Sequence, residues 1–540
     1  MNYKMIGYTL GLILKFEAAF FLIPAITAVC YGEWWQLLAI GISAASCLAV
    51  GIPLSWRKPK NMELYARDGF VIVSLSWILL SMFGALPFFI SGEIPNYVDA
   101  LFETVSGFTT TGSSILPDVE AMSKCLLIWR SFTHWVGGMG VLVFVMAILP
   151  LSGAQNMHIM RAESPGPEVS KLVPRVRKTA IILYVIYFCL TVIAFIALMI
   201  DNLVSVDPVN RMNVFDALCT TFGIAGTGGF GIKWDSMNSY SPYVQIVCTV
   251  FLLIFSINFN SYYLILKGKF RDAFNSEVKA FLIIVAVAIT AIAINIRAEH
   301  IQLEAQGLPV GYAGAETTSD AIRNSAFTVA SIISTAGFAT ADFNLWPEMS
   351  RTIIVLIMFI GACAGSTGGG IKVSRIIILV KGMIRELGQV INPKRVKKIT
   401  IDKKPVDREV VRSVNAYIVT FLVIFVGSII ILSFDPYVPK NPKHSTLVTN
   451  FTAVATTLNN VGPGLDVVGP YGSFKDFSIV SKLVLIFDML AGRLELLPML
   501  LLFSPSTWTV NRKSQRGGKR VQSEASSPTQ AEDDKVKAEK

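Results

Sequence analysis

The stretch TTTGSSIL at residues 109–116 follows NYVDALFETVSGF and lies between long apolar runs. Three threonines and a glycine stand out in a 540-residue chain that is 53% hydrophobic and 16% charged, against a globular norm of about 45–50% apolar and roughly 25% charged. The composition is that of a polytopic membrane protein. Uncharged runs at 71–90, 179–200, 243–266 and 416–434 each approach or exceed the about 20 residues that cross a bilayer. Shorter or interrupted runs at 10–30, 35–56, 126–150, 280–296, 352–380 and 477–503 bring the expected number of spans to ten.

The opening stretch is also a probe for internal repeats, which at this scale decide the fold. Set Gly112 over Gly229, in FDALCTTFGIAGTGGFGI, and Asp99 falls on Asp216, each thirteen residues ahead of its glycine. The same offset leads from Gly337 to Asn324, in NSAFTVASIISTAGFAT, and from Gly462 to Thr449, in TNFTAVATTLNNVGPGL. Asp, Asn and Thr are good helix N-caps. Each segment therefore reads as about three turns of helix and then a glycine-containing, strand-like run. All four are too short to cross a bilayer, and each sits between two runs that can.

Basic residues fall in alternate loops: four Lys/Arg at 57–68, five at 161–178, four at 267–279 and ten at 381–412, while intervening loops such as 299–320 are richer in Asp and Glu. The positive-inside rule places the N-terminus, these loops and the C-terminus in the cytoplasm. The net charge of +10 is thus a topology signal and not a nucleic-acid footprint, although the 381–412 loop is long enough to dock a partner as well. Both ends of every unit are then cytoplasmic, so four span, re-entrant loop, span units follow one another in one orientation. The fold expected is all-α: a hairpin at 1–60, pore units at 61–160, 161–272, 273–400 and 401–505 around a pseudo-fourfold axis, and a disordered polar tail at 506–540. No cleavable signal peptide is expected, since the first apolar run carries Lys15 and Glu17. The seven cysteines are scattered, without C-x-x-C spacing, and read as packing residues.

Non-helical backbone at membrane depth is tolerated only where it lines a protein-enclosed or watery cavity. Four like-oriented loops around one axis make such a cavity. Glycine permits positive φ, which lets successive carbonyls face the axis and replace an ion's hydration shell, as in the TVGYG filter of potassium channels. TGGFG at 227–231 and TAGFA at 335–339 share the T-x-G-aromatic order; Thr110-Thr111-Gly112 keeps its first half, and NVGPG at 460–464 keeps the glycine without the threonine. One such cluster alone would read as a turn or a packing contact. Four in register read as a filter.

Further motifs lie in the second spans. GACAGSTGGGIKVSR at 361–375 is too rich in Gly and Ser for an uninterrupted helix, each Gly costing about 1 kcal/mol relative to Ala. It is either a kinked packing helix or a loop that hangs beneath the filter and obstructs the pore. Arg493, in GRLELLPML, is charged within a span, so it either pairs with Asp488 or Glu495 or faces the ion path as a repelling cation. Arg130 and His134, four apart on one helix face, read as structural pairing or water access more readily than as a proton relay.

Together these residues resemble the TrkH/KtrB/HKT superfamily of potassium transporters over nearly the whole length to about residue 503. The four glycine loops, GACAGSTGGGIKV and GRLE carry the likeness; the N-terminal hairpin and YARDGF at 65–70 favour the TrkH branch over the shorter KtrB. The resemblance implies ion-coordinating carbonyls from Thr110 and Thr111, Thr227 and Gly228, Thr335 and Ala336, and Asn460 and Val461, beside Gly112, Gly229, Gly337 and Gly462. It also implies a gating loop built from Gly361, Ala364, Gly365, Ser366, Thr367, Gly368, Gly369 and Gly370, with Arg493 as the basic residue below the filter. A homodimer in the bacterial plasma membrane, with a cytoplasmic TrkA-like ring of nucleotide-binding regulatory subunits, is implied as well. The expected substrate is potassium, with no covalent cofactor and any nucleotide confined to the regulatory partner. Channel-like uptake driven by membrane potential is expected, with a proton- or sodium-coupled symporter as the alternative. An enzyme is not expected: there are four His and no H-E-x-x-H, G-x-S-x-G or Walker sequence.

Overall fold

A computed structural model describes residues 1–60, 65–140, 176–204, 210–307, 310, 314–393, 398–435 and 446–508. The inner part of the span expected at 126–150, most of the basic loop at 161–178 and the tail beyond a helical turn at Pro505–Trp508 lie outside the described residues. Six described helices are long and apolar enough to cross a bilayer: Tyr3–Tyr31, Trp34–Ser55, Arg67–Ser91, Ala180–Leu203, Ser276–Ala305 and Arg408–Leu432. The first two form the N-terminal hairpin, and the other four are the first spans of the four units. Gly11 and Gly51 let the hairpin helices touch, for a Cβ on Gly11 would lie 2.8 Å from the Gly51 oxygen.

The interruption expected of the second span in the third unit extends to the others, for no second span is one continuous helix among the described residues. Lys124–Gly138, Pro242–Ser256, Glu348–Ile360 and Ile479–Arg493 each stop midway, and the second of them bends by 90° into Phe259–Leu266. The carbonyls freed at that bend have partners: Ser256 O accepts from the Cys363 amide (3.1 Å) and Phe255 O from the Thr367 hydroxyl (3.2 Å). Asn258 caps the helix that follows by accepting from the Asn260 amide at 2.8 Å. Ile479–Arg493 ends with Leu496 N–H on Ala491 O (2.8 Å) and Glu495 at φ 61, a Schellman closure, before Pro498 opens Leu497–Phe503.

The short helices, Tyr97–Phe108, Val214–Gly226, Thr318–Ile333 and Leu447–Leu458, are buried toward their C-terminal ends and half-buried or exposed in their first turns. Their N-caps are not the residues expected. Asn96, Asn213, Thr317 and Thr446 accept from amides two or three positions on, which leaves Asp99, Asp216 and Thr449 in the first turn and Asn324 in the second. A cap must have non-helical φ/ψ, and the hydrophobic entry to each helix begins earlier than the DAL pattern suggests. In the third unit, Val373–Ile391 carries the second span eleven residues past the boundary expected at 380, so much of the 381–412 loop is helix. A two-residue strand pair, Thr400–Ile401 with Lys404–Pro405, is the one described departure from an all-α fold.

Candidate functional site

Each short helix ends in the same way. Thr110, Thr227, Thr335 and Asn460 have φ of 56, 54, 61 and 56°, and Gly112, Gly229, Gly337 and Gly462 have φ of 83, 75, 87 and 102°. Between them sit Thr111, Gly228, Ala336 and Val461, whose amides reach back to Ser106, Gly223, Ser331 and Thr456 carbonyls at 2.9, 2.9, 2.8 and 2.8 Å. The Thr110, Thr227, Thr335 and Asn460 amides reach the carbonyls of Gly107, Ile224, Ile332 and Thr457. These are Schellman closures with a left-handed residue at C′, a place usually filled by Gly and sometimes Asn. Asn460 therefore preserves the local geometry that the missing threonine seemed to break. Its side chain adds ties, donating to the Thr111 hydroxyl and to Met489 O, both at 2.9 Å.

The loops close on one another in chain order. A Cβ on Gly112 would overlap the Gly228 oxygen, one on Gly229 the Ala336 oxygen, and one on Gly337 the Val461 oxygen; on Gly462 it would lie 2.7 Å from the Thr111 oxygen. Every contact runs from one loop's left-handed glycine to the carbonyl just ahead of the next loop's glycine. Unit 1 meets 2, 2 meets 3, 3 meets 4 and 4 meets 1, and only a missing side chain permits the approach.

Arg130 and His134 brace this ring. Arg130 is ion-paired to Glu103 at 2.6 Å, donates to Gly231 O at 2.8 Å and lies 3.5 Å from the Phe230 ring centre. Glu103 also accepts from the Ile115 amide (2.9 Å) and the Ser114 hydroxyl (2.9 Å), so one carboxylate joins the first helix to the run behind Gly112. His134 Nδ1 donates to Gly107 O at 2.7 Å, and Nε2 accepts from the Phe230 amide at 3.3 Å. With both nitrogens held by backbone, the ring has one neutral tautomer and the structural role expected of it. Its bulk explains the double glycine of the second loop, since a Cβ on Gly228 would overlap the imidazole.

The segment 361–372 is a loop and not a kinked helix. Gly361, Gly365 and Gly370 have φ of 66, 75 and 72°. Gly369 donates to the Thr335 hydroxyl at 2.6 Å, and its α-carbon lies against Asn459 and Asn460, so the loop touches the ends of the third and fourth short helices. Gly368 packs on Ser334 and Ala362, Ser366 donates to Cys363 O at 2.6 Å, and the Ala364 amide donates to Glu277 at 2.8 Å. Arg493 donates to Thr367 O (2.8 Å), Gly137 O (2.5 Å) and Gly138 O (2.9 Å), joining the loop to the broken span of unit 1. The carboxylates expected to pair with it are engaged elsewhere: Asp488 accepts from Ser428 at 2.9 Å, and Glu495 is ion-paired to Arg375.

Two residues at this loop escaped the sequence reading. Glu277 accepts from the amides of both Ala364 and Ser374, at 2.8 and 3.1 Å, pinning the two ends of the loop with one oxygen. Lys372 donates to Gly369 O at 3.1 Å and to Gly368 O. An acid in the first turn of Ser276–Ala305 reads as ordinary dipole compensation, so its sequence carried no signal of this contact. Lys372, a lysine two residues past the last glycine of the motif, is the local signal in the sequence for such a contact.

Comparison with known proteins agrees with this geometry. Residues 37–511 match the family TrkH, described as cation transport protein. The Trk system potassium uptake protein TrkH of Halomonas elongata is 32% identical over 94% of this chain and all of that protein. Its namesake from Escherichia coli K12 is 33% identical over the same shares. The crystal structure of the potassium transporter TrkH from Vibrio parahaemolyticus superposes with a TM-score of 0.79 at 30% identity, covering 94% of this chain and 100% of that one. A multi-pass chain with four laced glycine loops, alike in sequence and in structure over 94% of its length, belongs to the TrkH family of cation transport proteins.

Proposed function

We propose that this chain takes up potassium through the ring of Gly112, Gly229, Gly337 and Gly462, conducting it inward down its electrochemical gradient. The observation that carries the reading is the backbone pattern repeated four times: left-handed residue, intervening residue, left-handed glycine, each glycine against the next loop's carbonyl. Alternating hand turns successive carbonyls to the same side, toward a shared axis where they can stand in for waters of hydration. Candidate ligands are the carbonyls of Thr110 and Thr111, Thr227 and Gly228, Thr335 and Ala336, and Asn460 and Val461. The driving force is adequate without a coupled ion, as each 100 mV is worth about 2.3 kcal/mol per charge. A coupled proton would need a relay, and the occupied nitrogens of His134 argue against one there.

On this reading 361–372 is the gate, lying under the third and fourth loops and held by Arg493, Glu277 and Lys372. Movement of the gate is assigned to a cytoplasmic, nucleotide-binding regulatory partner acting on a homodimer, as the family resemblance implies. The test is potassium and sodium flux into proteoliposomes under an imposed inside-negative voltage. Gly112→Ser places a Cβ on the Gly228 oxygen and should lower the preference for potassium over sodium at least about tenfold, a difference of about 1.4 kcal/mol at the ring. Unchanged preference in that variant sinks the filter assignment.

A further inference from the structure

Outside the ring, the four loops are tied to their neighbours around the circumference. The Trp234 amide donates to Glu120 (3.1 Å), the Met237 amide to Ala339 O (2.9 Å), the Asp466 amide to Asn344 (2.9 Å) and the Phe474 amide to Ser114 O (2.9 Å). An aromatic contact joins units that are not neighbours in this circuit. The rings of Trp234, from unit 2, and Tyr471, from unit 4, meet edge to face with centroids 5.7 Å apart and planes at 61°. Units 2 and 4 are diagonal in the ring. Both side chains line a chamber of about 80 Å³ whose wall also includes Gly112, Gly229, Gly337 and Gly462. The contact therefore borders the same chamber as all four ring glycines.

Beyond Tyr471 lies a larger cavity of about 780 Å³, bordered by Glu316, Asp320 and Asp342 together with His300 and Arg323, the last ion-paired to Asp320 at 2.8 Å, so that its three carboxylates outnumber its one guanidinium. Among the described residues, Tyr471 alone lines both spaces. Its phenol oxygen is buried without a protein hydrogen-bond partner. Burial, with the carboxylates of Asp235 and Asp342 nearby, pushes that phenol well above its usual range, so it stays a neutral hydroxyl.

We propose that Trp234 and Tyr471 form an outer aromatic gate, a paired-ring constriction through which a cation passes from the acidic outer cavity to the four filter glycines. The carboxylates concentrate cations in the outer cavity. The inner chamber has room for only a few waters, so a cation must shed part of its shell at the rings. Aromatic faces suit that step, because their negative quadrupole attracts a partly dehydrated cation and repels an anion. The phenol oxygen of Tyr471 supplies one polar ligand where water is lost. This proposal rests on the reading that the ring conducts.

Closure is tested separately from conduction. Ser113 lines the chamber and is 2% exposed, and it becomes a reporter as Ser113→Cys in a background where the exposed Cys30 and Cys189 are serine. Intact cells are treated from outside with a membrane-impermeant cationic methanethiosulfonate. Trp234→Ala and Tyr471→Ala should each raise the labelling rate of Ser113→Cys at least about tenfold, while Trp234→Phe and Tyr471→Phe leave it slow. Trp234 is 65% exposed, so its removal is not expected to unfold the chain. The buried Cys125 and Cys219 serve as controls and should remain unlabelled. Equal labelling with and without the rings overturns the gate, and so does labelling of Cys125 or Cys219 in the alanine variants, which would mean that the outer loops had collapsed. Absence of voltage-driven potassium uptake by the unmodified protein would instead refute conduction.

Discussion

Arg493→Ala should open the pore. The guanidinium spans two units, donating to Thr367 O of the 361–372 loop, the proposed gate, at 2.8 Å and to Gly137 O and Gly138 O of unit 1 at 2.5 and 2.9 Å. The loop cannot move away from unit 1 without giving up the Thr367 bond, because the other two carbonyls belong to that unit. A charge-assisted hydrogen bond contributes about 1.5–3 kcal/mol net. Removing it shifts the balance between seated and displaced loop by roughly ten- to hundredfold toward the displaced state. Loss of a fixed positive charge beside the path acts in the same direction. The assay is the initial rate of potassium uptake into proteoliposomes at a fixed inside-negative voltage, normalised to folded protein by size-exclusion chromatography. Arg493→Lys should fall between the two, since an ammonium keeps the charge but lacks the planar fork that reaches both units. An uptake rate in Arg493→Ala equal to or below that of the unmodified protein, with the protein folded, would refute the reasoning.

Glu277→Ala removes the acceptor shared by the Ala364 and Ser374 amides and should loosen the loop at both ends. Amide hydrogen exchange across 361–374 should quicken by at least about tenfold while exchange in Thr318–Ile333 stays slow, and uptake should rise. Glu103→Gln leaves the buried Arg130 guanidinium without its counter-charge, and breaking such a pair costs about 3–5 kcal/mol. Its melting point in detergent should fall clearly below that of the unmodified protein, and potassium preference should fall with it, because the same carboxylate holds the Ile115 amide behind Gly112.

Much of the ring was legible because its causes are local. A glycine thirteen residues after an Asp, Asn or Thr, found four times in short segments between apolar runs, already points to four repeated re-entrant loops. The cap positions were misread by three residues or more, since several polar residues in a row can each cap a helix and only backbone conformation selects one. The glycine density of 361–370 announced its loop. The break after Ser256 carried no such mark, as neither Ile257 nor Asn258 is a glycine or proline, whereas the one after Arg493 lies between Gly492 and Pro498. Those helices end because distant partners take over their carbonyls or hold their side chains: Cys363 and Thr367 at the first, Arg375 on Glu495 at the second.

The sequence by itself therefore determined the membrane class, the four units and their glycines, because hydropathy, charge alternation and the positive-φ requirement are written residue by residue. The tertiary structure decided what those units do to one another. Only folding brings Gly229 against Ala336, Arg493 between Thr367 and Gly137, and Trp234 onto Tyr471. Such contacts join residues from different units and depend on how four helices splay around one axis. That geometry is set by packing across the whole bundle, and no local spacing encodes it.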